Sequence, residues 1–233
     1  MEGDDLDDLP AYRERRSAVL SGTVWRARVA AGPAQILPDG CMDLIWDGER
    51  ILIAGPDRTV AEHVTPRSTV LTAVRFDPGI APTAIGAPAV EFTDRRVDLA
   101  EVWTAAQLAP WLEQLHRAER PGAALAALAV HRLRRGTPLW VPHVVDALDR
   151  GATVEAVAAD VGVTSRQLHR WSRTRFGYGP KTLQRILRMR RALRLLGGSD
   201  DASAVAHDAG YSDYAHLFRE FRALTGTSPA AFG

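Results

Sequence analysis

The sequence predicts an α+β protein: an N-terminal small antiparallel β domain with flanking helices, then a C-terminal all-α domain of two helix-turn-helix units joined by a long helix. Three observations carry this expectation. Residues 18–92 are short apolar or alternating runs punctuated by Gly and Pro, the spacing of an antiparallel sheet or small barrel. Later the period changes: Val141, Val144, Val145 and Leu148 recur at the intervals of one helix face. Finally, one pattern is written twice, 48 positions apart. Ala156-Val157-Ala158-Ala159-Asp160-Val161-Gly162-Val163-Thr164 aligns with Ala204-Val205-Ala206-His207-Asp208-Ala209-Gly210-Tyr211-Ser212, and each copy runs on to a Gly-x-x-Pro, at Gly177 to Pro180 and at Gly226 to Pro229.

Residues 1–10 form an acidic leader ending at Pro10, with the composition of a disordered segment. An N-terminal domain over 11–135 follows. Its strands are expected at Ser21 to Ala30, Gln35 to Leu37, Met42 to Trp46, Arg50 to Ala54 and Ser68 to Phe76, separated by turn signals such as Pro38-Asp39-Gly40 and Asp77-Pro78-Gly79. Thr83 to Val90 and Asp98 to Ala109 are expected as short helices, the second capped by Asp98. Trp111 to Ala118 and Ala123 to Arg135 extend them into a helical bridge. Arg135-Gly136-Thr137-Pro138 is the linker, so each half is expected to bury a core of its own.

The C-terminal domain spans 138–233, with a first unit at 141–179, a long helix at 180–196 and a second unit at 201–233. Thr153 caps one helix, Gly162 supplies a left-handed turn, and Thr164 or Ser165 caps the next helix, whose buried face is Leu168 and Trp171. Pro180 opens the long helix, which holds Leu183, Ile186, Leu187, Ala192 and Leu195 inward and its arginines outward. In the second unit Asp201 or Ser203 starts a helix, Gly210 turns it, and Ser212 caps the helix bearing Leu217, Phe221 and Leu224.

A net charge of +1 conceals an asymmetry. Residues 1–137 carry 16 Arg against 19 acids, whereas residues 138–233 carry 13 Lys and Arg against 9 acids. Between Val161 and Ser199 lie ten cations and no carboxylate, the electrostatic footprint of a polyanion-binding surface. Lys181 is the only lysine; arginine suits planar recognition of phosphate and guanine. One cysteine, Cys41, excludes an internal disulfide and fits a reducing compartment. The start of the chain is acidic where a secretory signal is basic, and no apolar run has the length of a membrane helix, so a cytoplasmic protein without a membrane partner is expected.

The duplicated segment resembles the AraC/XylS family of bacterial transcriptional regulators. The residues that carry the resemblance are Ala158 to Pro180 in the first unit, Ala209-Gly210-Tyr211-Ser212-Asp213-Tyr214-Ala215-His216-Leu217-Phe218-Arg219-Glu220-Phe221-Arg222 in the second, and Thr225 to Pro229 after it. Ser172 departs from the pattern, standing where the family commonly has an aromatic. The resemblance implies a regulator that binds double-stranded promoter DNA, is not an enzyme and needs no cofactor. Its implied partners are RNA polymerase, a second copy of the chain and a small-molecule effector held by the N-terminal domain. By the family's pattern Arg166, His169 and Arg170 face the bases, matched in the second unit by Tyr214, Ala215, His216 and Arg219. Thr164, Ser165, Arg173, Lys181, Arg185, Ser212 and Arg222 are the expected phosphate contacts. Because residues 200–233 hold two Arg against five acids, phosphate attraction is expected mainly from the first unit. Ile36 to Ile45 and Val74 to Gly79 look like motifs of the companion domain in one subgroup of these regulators, which implies a sensor or dimerisation module.

For that module the candidate ligand-pocket residues are Trp25, Cys41, Trp46, His63 and Phe76, aromatic or polar groups at strand and turn positions. Cys41, Asp43 and His63 lack metal-ligand spacing, so no metal is expected. Two other readings stay open: Cys41 as the acceptor of a DNA-alkylation-responsive regulator, and a constitutive architectural DNA-binding protein. The context Gly40-Cys41-Met42 differs from known methyl-acceptor motifs, and no Ser-His-Asp arrangement or phosphate loop is present.

Overall fold

A computed structural model describes residues 11–17, 19–134, 136–198 and 201–232; the acidic leader at 1–10 lies outside them. Six strands form one antiparallel sheet: β1 (Tyr12–Ser17), β2 (Gly22–Val29), β4 (Met42–Trp46), β5 (Ile51–Ala54), β7 (Thr69–Phe76) and β8 (Arg96–Asp98). Their spatial order is β1-β2-β7-β4-β5-β8, while β3 (Gly32–Ile36) and β6 (Ala61–Thr65) pair as a separate ribbon. The register decides which side chains share a face, because successive residues of a strand point to opposite sides. Val24 lies opposite Val74, and Val74 opposite Leu44, so these three share one face with Phe76, Trp46 and Ile53. Trp25 lies opposite Ala73 and shares the other face with Arg75, Asp43 and Arg96. The first face is apolar and buried; the second is polar.

Helices cover the apolar face. α1 (Ala81–Ile85) is followed by a 3-10 turn at Ala89–Phe92, then by a second at Leu99–Glu101, α2 (Ala105–Arg117) and α3 (Pro121–Leu133). The helix expected over Thr83 to Val90 is broken in two. Gly86 closes α1 in the left-handed region and Pro88 is extended. Asp98 caps as expected, in a box with Glu101, but only for one turn. Thr104 and Gln107 form a second box, and α2 then runs unbroken through the stretch expected as a separate helix from Trp111.

The remaining helices are α4 (Trp140–Asp149), α5 (Val154–Asp160), α6 (Ser165–Phe176), α7 (Pro180–Leu196), α8 (Ala202–Asp208) and α9 (Tyr214–Thr225), with a closing 3-10 turn at Pro229–Ala231. The apolar core does not stop at the linker. One cluster of buried side chains runs from Leu20 through Phe76 and Leu128 to Val141, Phe176, Ile186 and Leu224. The expectation of a separate core for each half is therefore corrected. Gly79 shows how tight the joint is: at φ +82°, a Cβ there would come within 2.5 Å of Phe176 and 2.6 Å of Val141. Polar contacts cross the same joint. Arg175 donates to the Thr83 hydroxyl at 2.8 Å, and the Thr93 hydroxyl donates to the Gly177 carbonyl at 3.0 Å. The Val60 N–H donates to the Leu224 carbonyl at 2.6 Å.

Candidate DNA-binding surface

In the first unit, the Thr153 hydroxyl accepts the Ala156 N–H at 3.2 Å and starts α5. Gly162 turns the chain at φ +70°. Thr164, rather than Ser165, caps α6: its hydroxyl accepts the Gln167 N–H at 3.2 Å while Gln167 Oε1 accepts the Thr164 N–H at 2.9 Å. The buried line of α6 is Leu168, Ser172 and Phe176, one turn apart. Trp171, expected inward beside Leu168, is instead half-buried at the flank, its ring 5.1 Å from that of Trp140. Small Ser172 thus occupies the buried position that Trp171 was expected to fill, and the aromatic volume comes from Trp140 and Phe176, which meet edge to face at 6.4 Å.

This phase leaves Arg166, His169, Arg170 and Arg173 exposed, as expected. Among the described residues, the guanidinium groups of Arg166, Arg170 and Arg173 form neither an ion pair nor a hydrogen bond. Ser165 and Lys181 are likewise exposed at the starts of α6 and α7. The His169 ring lies against the Gly179 backbone, where a Cβ would come within 2.7 Å of it.

The second unit is held differently. Asp201 caps α8 by accepting the N–H groups of Ser203 and Ala204 at 2.9 and 3.0 Å, and Gly210 turns the chain at φ +86°. Asp213, not Ser212, caps α9, accepting the His216 N–H at 2.7 Å; the Ser212 hydroxyl donates to Asp213. The backbone N–H of His216 holds the Asp213 carboxyl below its ordinary range, with the Ser212 hydroxyl adding to the effect. Leu217, Phe221 and Leu224 are buried as expected. Tyr214, Ala215, Arg219 and Arg222 are exposed. His216 is not free: its ring sits edge-on to Tyr211 at 5.2 Å and 3.7 Å from Glu220.

Glu220 also corrects the placement of the long helix's arginines. Arg185 Nε donates to it at 2.7 Å and Arg188 Nη2 approaches it at 2.9 Å, with the Glu220 side chain only 9% exposed. Arg191 reaches Asp149 at 2.9 Å and Arg190 donates to the Asp39 carbonyl at 2.7 Å. Arg185, expected on phosphate, is held by Glu220 while its side chain stays 41% exposed. Of the α7 arginines Arg194 is the most exposed. Nothing in the charge count marked Glu220; its spacing of four from His216 on a helix was the available signal.

The five candidate pocket residues are not brought together. Trp46 and Phe76 lie in the apolar core on one face of the sheet, and Trp25 lies on the other, where its indole N–H donates to Asp43 at 3.0 Å. His63 belongs to the β3–β6 ribbon. Cys41 is buried, and that burial pushes its thiol well above the ordinary value, with Asp39 adding to the effect. A thiol held protonated lacks the thiolate that an alkyl acceptor uses. Among the described residues no His, Cys, Asp and Glu grouping fit to hold a metal ion occurs, and no helix is long and apolar enough to cross a membrane.

Residues 157–233 match the family described as a helix-turn-helix domain, and residues 20–98 match a domain of unknown function, DUF6597. No curated protein matches the chain in sequence. Among solved structures, a probable AraC family transcriptional regulator from Rhodopseudomonas palustris aligns at 24% identity over 41% of this chain and 94% of its own, with a TM-score of 0.36. ToxT from Vibrio cholerae aligns at 8% identity over 96% of this chain and 98% of its own, with a TM-score of 0.48, a loose likeness of fold. With the family match over residues 157–233 and two helix-turn-helix units in place, the chain carries a helix-turn-helix domain, a DNA-binding fold, behind a domain of unknown function.

Proposed function

We propose that α6 and α9 are the reading helices of a sequence-specific regulator, with α6 supplying most of the affinity. The observation that carries this is the exposed face of α6, on which Arg166, Arg170 and Arg173 have no partner among the described residues while Arg185, Arg188, Arg190 and Arg191 all do. A major groove admits one helix, and an arginine fork matches the two acceptors of a guanine edge. Arg166 and Arg170, one turn apart, are the base readers with His169; Ser165, Arg173 and Lys181 flank them as phosphate contacts, with Thr164 holding the helix end that approaches the backbone. In α9, Tyr214, Ala215 and Arg219 face outward, with Ser212 and Arg222 at the backbone. His216 sits behind them as a support, and Arg185 drops out of the phosphate set.

The N-terminal half is read as a module that modulates this binding in response to a small molecule, and a second copy and RNA polymerase are the macromolecular partners that the family analogy supplies. Selection from a randomised duplex library yields the operator, against which single base-pair variants are titrated. Arg170→Ala is expected to cost about 1–3 kcal/mol at one base pair and little elsewhere. Arg219→Ala is expected to cost less than Arg170→Ala. A uniform loss over all sequences would make Arg170 a phosphate contact, and a library without enrichment would refute sequence-specific reading.

A further inference from the structure

The polar face of the six-stranded sheet is roofed by the end of β3 and the loop that follows it, leaving a cavity of about 380 Å³. Its charged lining is Asp39, Asp43, Asp57, Arg75 and Arg96, three carboxylates against two guanidinium groups. Two of the carboxylates are matched. Asp43 accepts from Arg75 Nε and Nη2, both at 3.1 Å, and Asp57 accepts from Arg96 Nη1 and Nη2 at 3.2 and 2.8 Å. Asp39 is the least well matched. One of its oxygens accepts the Cys41 N–H at 2.8 Å; the other lies 3.5 Å from an Arg75 nitrogen that Asp43 already holds. On the opposite sign, Arg75 Nη1 and Arg96 Nε make no hydrogen bond among the described residues.

The geometry points to this cavity as the effector site for a small zwitterion of the free amino acid class, its ammonium on Asp39 and its carboxylate on the open donors of Arg75 and Arg96. The inference rests on the reading of the N-terminal half as a modulating module. Asp39 shares the Arg75 guanidinium with Asp43 and holds it at the longer distance, so a zwitterion brings an ammonium to Asp39 and a carboxylate to the open donors, which a simple anion or a neutral polyol does not. The cavity volume lies in the range of small-molecule sites.

The same wall seats the DNA-binding half. The Asp39 carbonyl accepts from Arg190 of α7 at 2.7 Å, and a Cβ on Gly40 would lie 3.3 Å from Leu183 and 3.9 Å from Ile186 of that helix. An ammonium drawn to Asp39 acts on the loop that carries α7, and α7 carries α9 through Arg185, Arg188 and Glu220. Occupancy of the cavity thereby biases the spacing of the two reading helices.

The test is a thermal-shift and calorimetric titration of the full-length protein with the common L-amino acids, and with ethanolamine, propionate and xylitol as the amine, anion and polyol probes. At least one amino acid is expected to raise Tm where none of the three single-function probes does. Asp39→Asn keeps an acceptor for the Cys41 N–H and removes the charge, and is expected to weaken that amino acid at least tenfold. Arg96→Lys, which keeps a cation for Asp57 and removes the open Nε donor, is expected to weaken it severalfold, so the site remains testable if one variant folds poorly. No response to any amino acid, an equal response to propionate or xylitol, or undiminished binding by both variants overturns the assignment. DNA binding of the unliganded protein, measured in parallel, reports separately on the regulator reading; a response to propionate or xylitol alone leaves a modulating module standing with another ligand class.

Discussion

At Glu220 a single carboxylate joins three partners from two helices: Arg185 and Arg188 on α7 and His216 one turn earlier on α9. Replacing it with Ala strands two cations beside a buried gap. Arg185 is 41% exposed and recovers hydration, so the expected loss is about 2 kcal/mol rather than the larger cost of stranding a wholly buried charge. Urea unfolding of Glu220→Ala measures it, and a loss under about 0.5 kcal/mol would mean the clamp is an ordinary surface pair. Residue roles were legible where helical phase alone decides them: Leu168, Leu217 and Phe221 inward, Arg166 and Arg170 outward. The role of Arg185 was not legible, because its partner lies on a different helix; His216 had only its spacing of four from Glu220 to mark it. The same holds for Trp25 and Trp46, whose opposite faces are fixed by the register of each strand against β7, a long-range fact.

Elements were readable in proportion to how much local pattern they carry. β4 was placed to the residue and α7 likewise, the first by an apolar run between turn signals and the second by Pro180 at its start and a glycine pair at its end. β1, β6 and β8 escaped. β1 is Tyr-Arg-Glu-Arg-Arg-Ser on an exposed sheet edge, β6 is half polar, and β8 has three residues, so none shows an apolar period. Turns at the joint between the halves have their own requirement. Gly79 needs both a positive φ and the absence of a side chain, whereas Gly136, at φ +78°, faces open space. Gly136→Ala is expected to cost about 1 kcal/mol of backbone strain, and Gly79→Ala about 2–3 kcal/mol, because Phe176 and Val141 must also move. Equal costs in thermal or urea unfolding would show that the joint around Phe176 yields easily.

Across the whole molecule the linker read at 135–138 separates two folds in sequence without separating two cores. The change from period two to helical period marked the place where architecture changes; it held no information on whether Phe176 and Val141 would pack on Gly79 or on one another. Calorimetry of the full chain is therefore expected to show one transition, with calorimetric and van't Hoff enthalpies in agreement. Two resolved transitions would contradict a shared core. Coupling through that core also reaches the life of the protein in the cell. A ligand that binds only the folded chain adds about 2.7 kcal/mol at a hundred times its Kd. With one core joining the halves, that gain extends to the sheet as much as to the reading helices. On the proposed reading, molecules resting on an operator are expected to be shielded along their whole length from the proteases that clear unfolded chains, so that the standing amount of the protein rises with the number of sites it occupies.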